Sequence, residues 1–174
     1  MRDEAEFVEF AQSVRVRLRR AAYLMCGDWD QASDFVQEGL IRVYVAWPRL
    51  HRAGGEYVYA RKAVVSAFLD HTRRRSSRET PVVVDASAAS GEDVADAVTT
   101  RGALMRALAS LPPRQRACVV LRYLEDLSVA ETATALGCSE GTVKSQTSRA
   151  LDQLRSVFAD SPMGELITEG ASSW

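Results

Sequence analysis

Apolar residues recur every three or four positions along most of the chain, and the elements this pattern predicts are helices. A first helix is expected over about Asp3 to Met25, where Phe7, Phe10, Val14, Leu18, Ala21 and Met25 form one stripe. Gly27 should end it, and Asp28 is placed to cap the next. That second helix, Asp30 to Trp47, turns Ala32, Phe35, Val36, Leu40, Val43, Tyr44 and Trp47 inward. Pro48 is expected to break it, and Gly54 with Gly55 to form a loop. A third helix follows from Glu56 to about Arg75. Beyond a polar stretch, a new apolar stripe of Leu104, Leu108 and Leu111 begins near Arg101. Pro112 and Pro113 start another helix, with Ala117, Val120, Leu121 and Leu124 as its core face. Sustained Val/Ile/Thr alternation is lacking apart from Val82 to Val84. The fold class is all-α.

The segment from Leu127 to Leu154 has the sharpest local signals. Ser128 and Glu131 make a capping box, in which the hydroxyl and the carboxylate each satisfy a free backbone N–H. Ala130, Ala133 and Leu136 then form a short apolar stripe, and Gly137 supplies the left-handed stop. Ser139 caps a second helix with Val143, Ala150, Leu151 and Leu154 inside. Lys144, Ser145, Ser148 and Arg149 share its opposite face. Two short helices joined by a tight turn, the second with a small, polar, basic outer face, suit entry into a DNA major groove. An ordinary helical hairpin with a solvated face has the same pattern.

Charge adds organisation. The 174 residues carry a net charge of −1, weak for a chain that holds DNA unaided. Basic residues cluster at Arg15, Arg17, Arg19 and Arg20, and again at Arg73, Arg74, Arg75 and Arg78. Residues 79–100 hold no cation and carry Asp85, Glu92, Asp93 and Asp96. With Pro81 and many Ala, Ser and Gly, this stretch reads as a flexible acidic linker between two domains. Extended it would reach about 70 Å, as a coil about 25 Å. The tail, 159–174, with Pro162, Gly164 and Gly170, is expected to be loosely ordered.

Composition excludes several classes. No apolar run is long enough to cross a membrane, so membrane insertion is not expected. The acidic amphipathic start does not resemble a signal peptide. Cys26, Cys118 and Cys138 follow no ligand spacing, and with His51 and His71 they suggest neither zinc nor any other cofactor. A reduced, cytoplasmic protein is expected. With no nucleophile–base pair or phosphate loop, an enzyme is not.

Two further faces invite partners. Asp34, Gln37, Glu38, Ile41 and Arg42 lie on the outer side of the second helix, with Glu38 and Arg42 at the i, i+4 spacing. An apolar Ile41 among polar neighbours suits a protein contact, although a solvated face reads similarly. In the third helix Tyr57, Tyr59, Arg61, Lys62, Phe68, His71, Arg73 and Arg74 mix rings with cations. Bases of a single strand stack on rings while cations hold phosphates. The other reading makes the rings core and the cations a helix end favoured by the dipole.

Several of these runs resemble one family. Leu111-Pro112-Pro113-Arg114-Gln115-Arg116, Val119-Val120-Leu121-Arg122-Tyr123, Ser128-Val129-Ala130-Glu131-Thr132-Ala133 and Gly141-Thr142-Val143-Lys144-Ser145 resemble the promoter-reading C-terminal domain of bacterial sigma factors. The likeness is to the small two-domain extracytoplasmic-function (ECF) group, in particular its sigma-E-like actinobacterial members. The run from Gly27 to Tyr44 resembles the sigma segment that docks on the clamp helices of RNA polymerase. The resemblance spans about residues 6 to 158.

It implies a sigma factor that binds core RNA polymerase (clamp helices and flap) and promoter DNA, with an anti-sigma factor as a candidate further partner. Region 2 would occupy 1–78 and region 4, with the helix-turn-helix, 101–158. Asp34, Gln37, Glu38, Ile41 and Arg42 would dock polymerase. Tyr59, Arg61, Lys62, Ser66, Phe68, Asp70, His71, Arg73 and Arg74 would read and melt the −10 element. Thr142, Lys144, Ser145, Gln146, Ser148 and Arg149 would read the −35 element. Ser66 stands where the pattern usually has Asn, Tyr59 where many members have Trp, and Gln146 where Arg is common. Gln favours adenine where Arg favours guanine. A stand-alone helix-turn-helix regulator would need a further ligand or receiver domain, and an interaction module would not need the cations at Lys144 and Arg149.

Overall fold

The computed structural model describes residues 2–53, 55–78 and 95–158. The described elements are α1 (Arg2–Cys26), α2 (Trp29–Ala53), α3 (Glu56–Arg78), α4 (Ala95–Ser110), α5 (Pro113–Val119), a π-helical turn (Val120–Leu124), α6 (Val129–Leu136) and α7 (Glu140–Phe158). Among the described residues there is no strand. Residues 79–94 of the expected linker and the tail 159–174 lie outside the described residues, whereas Ala95 to Thr100 already form the first turns of α4.

The caps are the ones expected. Asp28 Oδ1 accepts from Asp30 N at 2.8 Å and Gln31 N at 2.9 Å, opening α2. Ser128 Oγ accepts from Glu131 N at 3.1 Å while Glu131 Oε2 accepts from Ser128 N at 2.8 Å. These hydrogen bonds hold the Glu131 carboxyl below its ordinary range. Gly137 is left-handed, φ 62°, and Ser139 Oγ receives Thr142 N at 3.1 Å to open α7.

Four expectations need correction, one of a boundary and three of phase. Pro48 lies inside α2 rather than ending it. The buried Trp47, packed edge-on to Phe7 at 5.3 Å and tilted against Phe10 at 5.2 Å, together with Leu50 beyond, holds the helix to α1 on both sides of the proline. Tyr44, placed inward, is exposed with only its edge against Phe7. Leu124, placed on a core face, is 45 % exposed. The cause is the π turn: Glu125 N donates to Val120 O and Leu127 N to Leu121 O, both at 3.0 Å, and the widened ring rotates later residues outward. Leu127 takes the buried place. Ala130 is likewise exposed, because α6 packs on both α3 and α7 and buries Thr132, Ala133, Ala135 and Leu136 instead.

One hydrophobic core runs through both halves. Leu18, Phe35, Val43, Trp47, Val64, Val65 and Phe68 of α1–α3 are continuous with Ala117, Val120, Leu121, Leu127, Leu136 and Val143. A second cluster joins Ala107, Leu108 and Leu111 of α4 to Ala150, Leu154 and Phe158 of α7, with Leu24 of α1 at its edge. Gly39 sets the α2–α3 crossing. A Cβ there would stand 2.6 Å from Val64 Cγ2 and 3.2 Å from Val64 N.

Candidate nucleic-acid and docking interface

Helical phase divides the α3 candidates in two. Tyr59, Lys62, Ser66, Asp70 and Arg73 follow one another at steps of three and four along the outer side. Tyr59, Lys62, Arg73, Arg74 and His71 are exposed, while Ser66 and Asp70 are half-buried. Asp70 Oδ1 accepts from Arg73 Nη2 at 3.0 Å, which fixes one cation of the stripe. Phe68 and Arg61 fall on the opposite side with Val64 and Val65. Phe68 is 1 % exposed and meets Phe35 edge-on at 6.1 Å, so its ring is core and unavailable to a base. Arg61 is 8 % exposed, with its guanidinium 4.9 Å from the centre of the Tyr57 ring. The expectation that these two face a strand is corrected by the period of the helix that carries them.

On α7 Lys144, Ser145, Ser148 and Arg149 are exposed and Val143, Ala150 and Leu154 buried, as expected; Leu151, expected inside, is half-buried at a flanking groove, and Thr147 is buried instead. Thr142 and Gln146 are half-buried at the rim. Ser145 Oγ donates to Thr142 O at 3.0 Å, and the Thr142 hydroxyl lies 2.9 Å from that of Ser139. Beside this face a groove of about 480 Å³ is lined by Tyr123, Val129, Lys144, Ser148 and Arg155. Arg155 is paired with Asp152 at 2.9 Å. The Cys118 thiol beneath is buried, which pushes it up to about 11 and keeps it a packing group rather than a nucleophile.

The α2 face is outward too. Asp34, Gln37 and Glu38 are exposed, Arg42 is paired with Glu38, and Ile41 is 57 % exposed. Not foreseen from the sequence is that the face continues, past Tyr44 of α2 itself, across a groove of about 660 Å³ onto α1, through Val8, Ala11 and Arg15. Val8 and Tyr44, like Ile41, expose apolar surface that a lone folded chain gains nothing by exposing. The period of α1 signals Val8, which sits off its core stripe.

Also unforeseen is a polar seam between the halves. Arg116 donates to Met25 O at 2.7 Å and to Ala109 O and Leu111 O at 2.9 and 3.0 Å. It thereby satisfies carbonyls left over near the ends of α1 and α4. Burial lowers the affinity of this guanidinium for its proton. Arg101 lies over the Tyr23 ring at 5.7 Å, and Tyr23 stacks on Trp29 at 4.0 Å.

Comparison with known proteins assigns these halves to a family. Residues 10–78 match the model of sigma-70 region 2 and residues 101–154 that of sigma-70 region 4. The RNA polymerase sigma-E factor of Streptomyces avermitilis is 37 % identical over 155 residues, 86 % of this chain and 85 % of that one. The ECF RNA polymerase sigma factor SigF of Caulobacter vibrioides is 36 % identical, covering 87 % and 85 %. The chain is an ECF sigma factor. Two solved structures share the fold of this sigma factor. The sigma factor RpoE, in complex with the anti-sigma factor NepR from Bartonella quintana, superposes with a TM-score of 0.63 at 22 % identity, over 87 % of this chain and 97 % of that one. CnrH, in complex with the cytosolic domain of CnrY, gives 0.65 at 18 % identity, over 90 % of each. Among the described residues no helix is long and apolar enough to cross a membrane.

Proposed function

We propose that this sigma factor docks on core polymerase through α2 and the groove it shares with α1. The outer stripe of α3 then holds the unpaired −10 strand, and the basic face of α7 reads the −35 element. The observation that supports this most is the phase of α3. A ring at Tyr59 and cations at Lys62, Arg73 and Arg74 emerge on the outer surface of a helix whose other side is core. Stacking on Tyr59 and phosphate contacts from the cations suit a flexible single strand, which a rigid duplex could not follow around the helix. On α7, Lys144 and Arg149 with small hydroxyl side chains between them leave room for groove edges.

The initiation step is then binding and strand separation, with no covalent chemistry contributed by this chain, and the site of action is the cytoplasm. Region 2 would be 1–78 and region 4 101–158, joined by the acidic linker. An anti-sigma factor is a further partner of the kind RpoE has in its complex with NepR.

Promoter DNA captured with core polymerase plus this chain, then sequenced, should give a recurrent −35/−10 pair. Enrichment of one site by the chain alone, equal with and without polymerase, would point instead to a stand-alone regulator.

A further inference from the structure

An apolar opening with cations at its two ends lies along one flank of α7. Lys144, Ser148, Leu151 and Arg155 follow one another at steps of four, three and four, so they form a single stripe. This stripe is one wall of the groove of about 480 Å³, and Tyr123 with Val129 is the other. Tyr123 is 38 % exposed and Leu151 half-buried, so apolar surface of both walls faces water. Lys144 stands at one end. Arg155 stands at the other, in a pair with Asp152 that is itself open to solvent.

The chain that follows α7 carries the complementary pattern. Residues 159–174 hold Asp160, Glu165 and Glu169 and neither Lys nor Arg. Ser161 followed by Pro162 is a helix-start signal, and Gly170 is a stop. Between them Met163, Leu166 and Ile167 stand at i, i+3 and i+4, which is one helical face. A helix over 162–169 would be about 12 Å long, and α7 rises about 10 Å from Lys144 to Leu151. Residues 159–161 would join the two, a usual length for an antiparallel helix pair. So short a tether holds the segment at a high effective concentration, and weak contacts then suffice.

We propose that residues 159–174 fold back along α7 as a short antiparallel helix and occupy this groove. Leu166 and Ile167 would pack against Tyr123, Val129 and Leu151, with Asp160 toward Arg155 and Glu169 toward Lys144. The groove then has an intramolecular ligand, an acidic amphipathic helix. Lys144 and Ser148 also belong to the face proposed to read the −35 element, so the seated segment and bound DNA exclude each other at Lys144. That consequence, unlike the seat itself, rests on the −35 reading of α7.

The chain has two lysines, Lys62 and Lys144, so a zero-length carbodiimide cross-link at Lys144 is readily assigned by mass spectrometry. The dilute full chain should give a monomeric product that links Lys144 to Glu169. Leu166→Gln/Ile167→Gln keeps every charge and should cut that yield about tenfold or more, because both apolar anchors are lost. Tyr123→Ala on the facing wall should do the same, and it serves alone if the tail variant alters helical circular dichroism. Absence of a link between Lys144 and the tail, or a link undiminished in both variants, would overturn the seat. A link confined to the cross-linked dimer would assign the groove to the tail of a second copy and overturn the fold-back. With promoter DNA bound through core polymerase the link should disappear. Its persistence in that complex would leave the seat standing and overturn the part of Lys144 in −35 reading.

Discussion

Gly39 is the position where a single methyl group tests the packing that relates the outer face of α2 to the outer face of α3. Replacing Gly by Ala inside an exposed helix ordinarily stabilises by about 1 kcal/mol. Here the added Cβ would stand 2.6 Å from Val64 Cγ2 and 3.2 Å from the backbone N of Val64. Val64 is fully buried, and a β-branched side chain in a helix has one strongly preferred χ1, so the methyl has no free rotamer to enter. The backbone atom can move only with α3. The two helices must therefore separate at their crossing, disturbing Phe35, Val43 and Phe68 in the same core. Overpacking of this kind costs about 1–3 kcal/mol, and contact with a backbone atom favours the upper part. After subtracting the helix-propensity gain, Gly39→Ala should be destabilised by about 1–2 kcal/mol. Urea titration should show a lower midpoint with an unchanged slope. Val64→Ala alone leaves a cavity, but in the double variant the new Cβ fills part of that space. The pair should therefore be at least about 1 kcal/mol more stable than the sum of the single effects. A Gly39→Ala chain as stable as the parent, or strict additivity in the cycle, would refute the argument.

Other outcomes follow from the faces already described. Lys144→Ala and Arg149→Ala should each weaken holoenzyme binding to a cognate promoter by about 1–3 kcal/mol if the contact is to a base, read by gel shift at fixed salt; unaffected binding in both would remove α7 from the −35 element. Substituting Asp34, Gln37 and Glu38 together should abolish co-purification with core polymerase at unchanged helicity, because these side chains are exposed and little packing is lost. Ser128→Ala should lose about 1 kcal/mol of stability at neutral pH. Because the Glu131 carboxyl is held below its ordinary value of 4.5 by its hydrogen bonds to Ser128, its part of the cap is present above that pH and disappears as pH falls through the lowered value, so the gap between parent and variant melts should narrow in acid without closing, Ser128 Oγ still accepting from Glu131 N.

Where a feature depends on neighbours in sequence, it was legible. The Ser128–Glu131 box, the Gly137 stop and the Asp28 cap are local chemistry, and each stands as its residue types dictate. The outer faces of α2 and α7 followed from the 3.6-residue period. Legibility failed where a third element intervened. Arg61 and Phe68 share the helical phase of Val64 and Val65, and only Phe35 of α2 arriving against Phe68 shows that this phase is core. Leu124 is misplaced because one extra residue in the π turn shifts the phase, and no residue type announces a π turn. The seam residues Arg17, Tyr57, Arg116 and Glu125 lie far apart in sequence, so no spacing rule could have joined them.

The charge arrangement explains why the faces should act only together. Affinity for duplex DNA comes largely from neutralised phosphates. On α7 the exposed cations are Lys144 and Arg149, while Arg155 is engaged by Asp152. With a net charge of −1, the chain as a whole offers little long-range attraction. The two halves are also packed on each other through Glu125, which accepts from Arg17 of α1 and from the Tyr57 hydroxyl of α3. A scaffold that bound the proposed docking face of α2 and set the spacing of the halves would supply the missing geometry. Gel-shift titration should therefore find the free chain a poor ligand for promoter duplex and the same chain on core polymerase a far tighter one. Sequence-specific binding of equal strength by the chain alone would mean that α7, with Lys144 and Arg149 as its exposed cations, needs no scaffold, and would overturn the argument from charge.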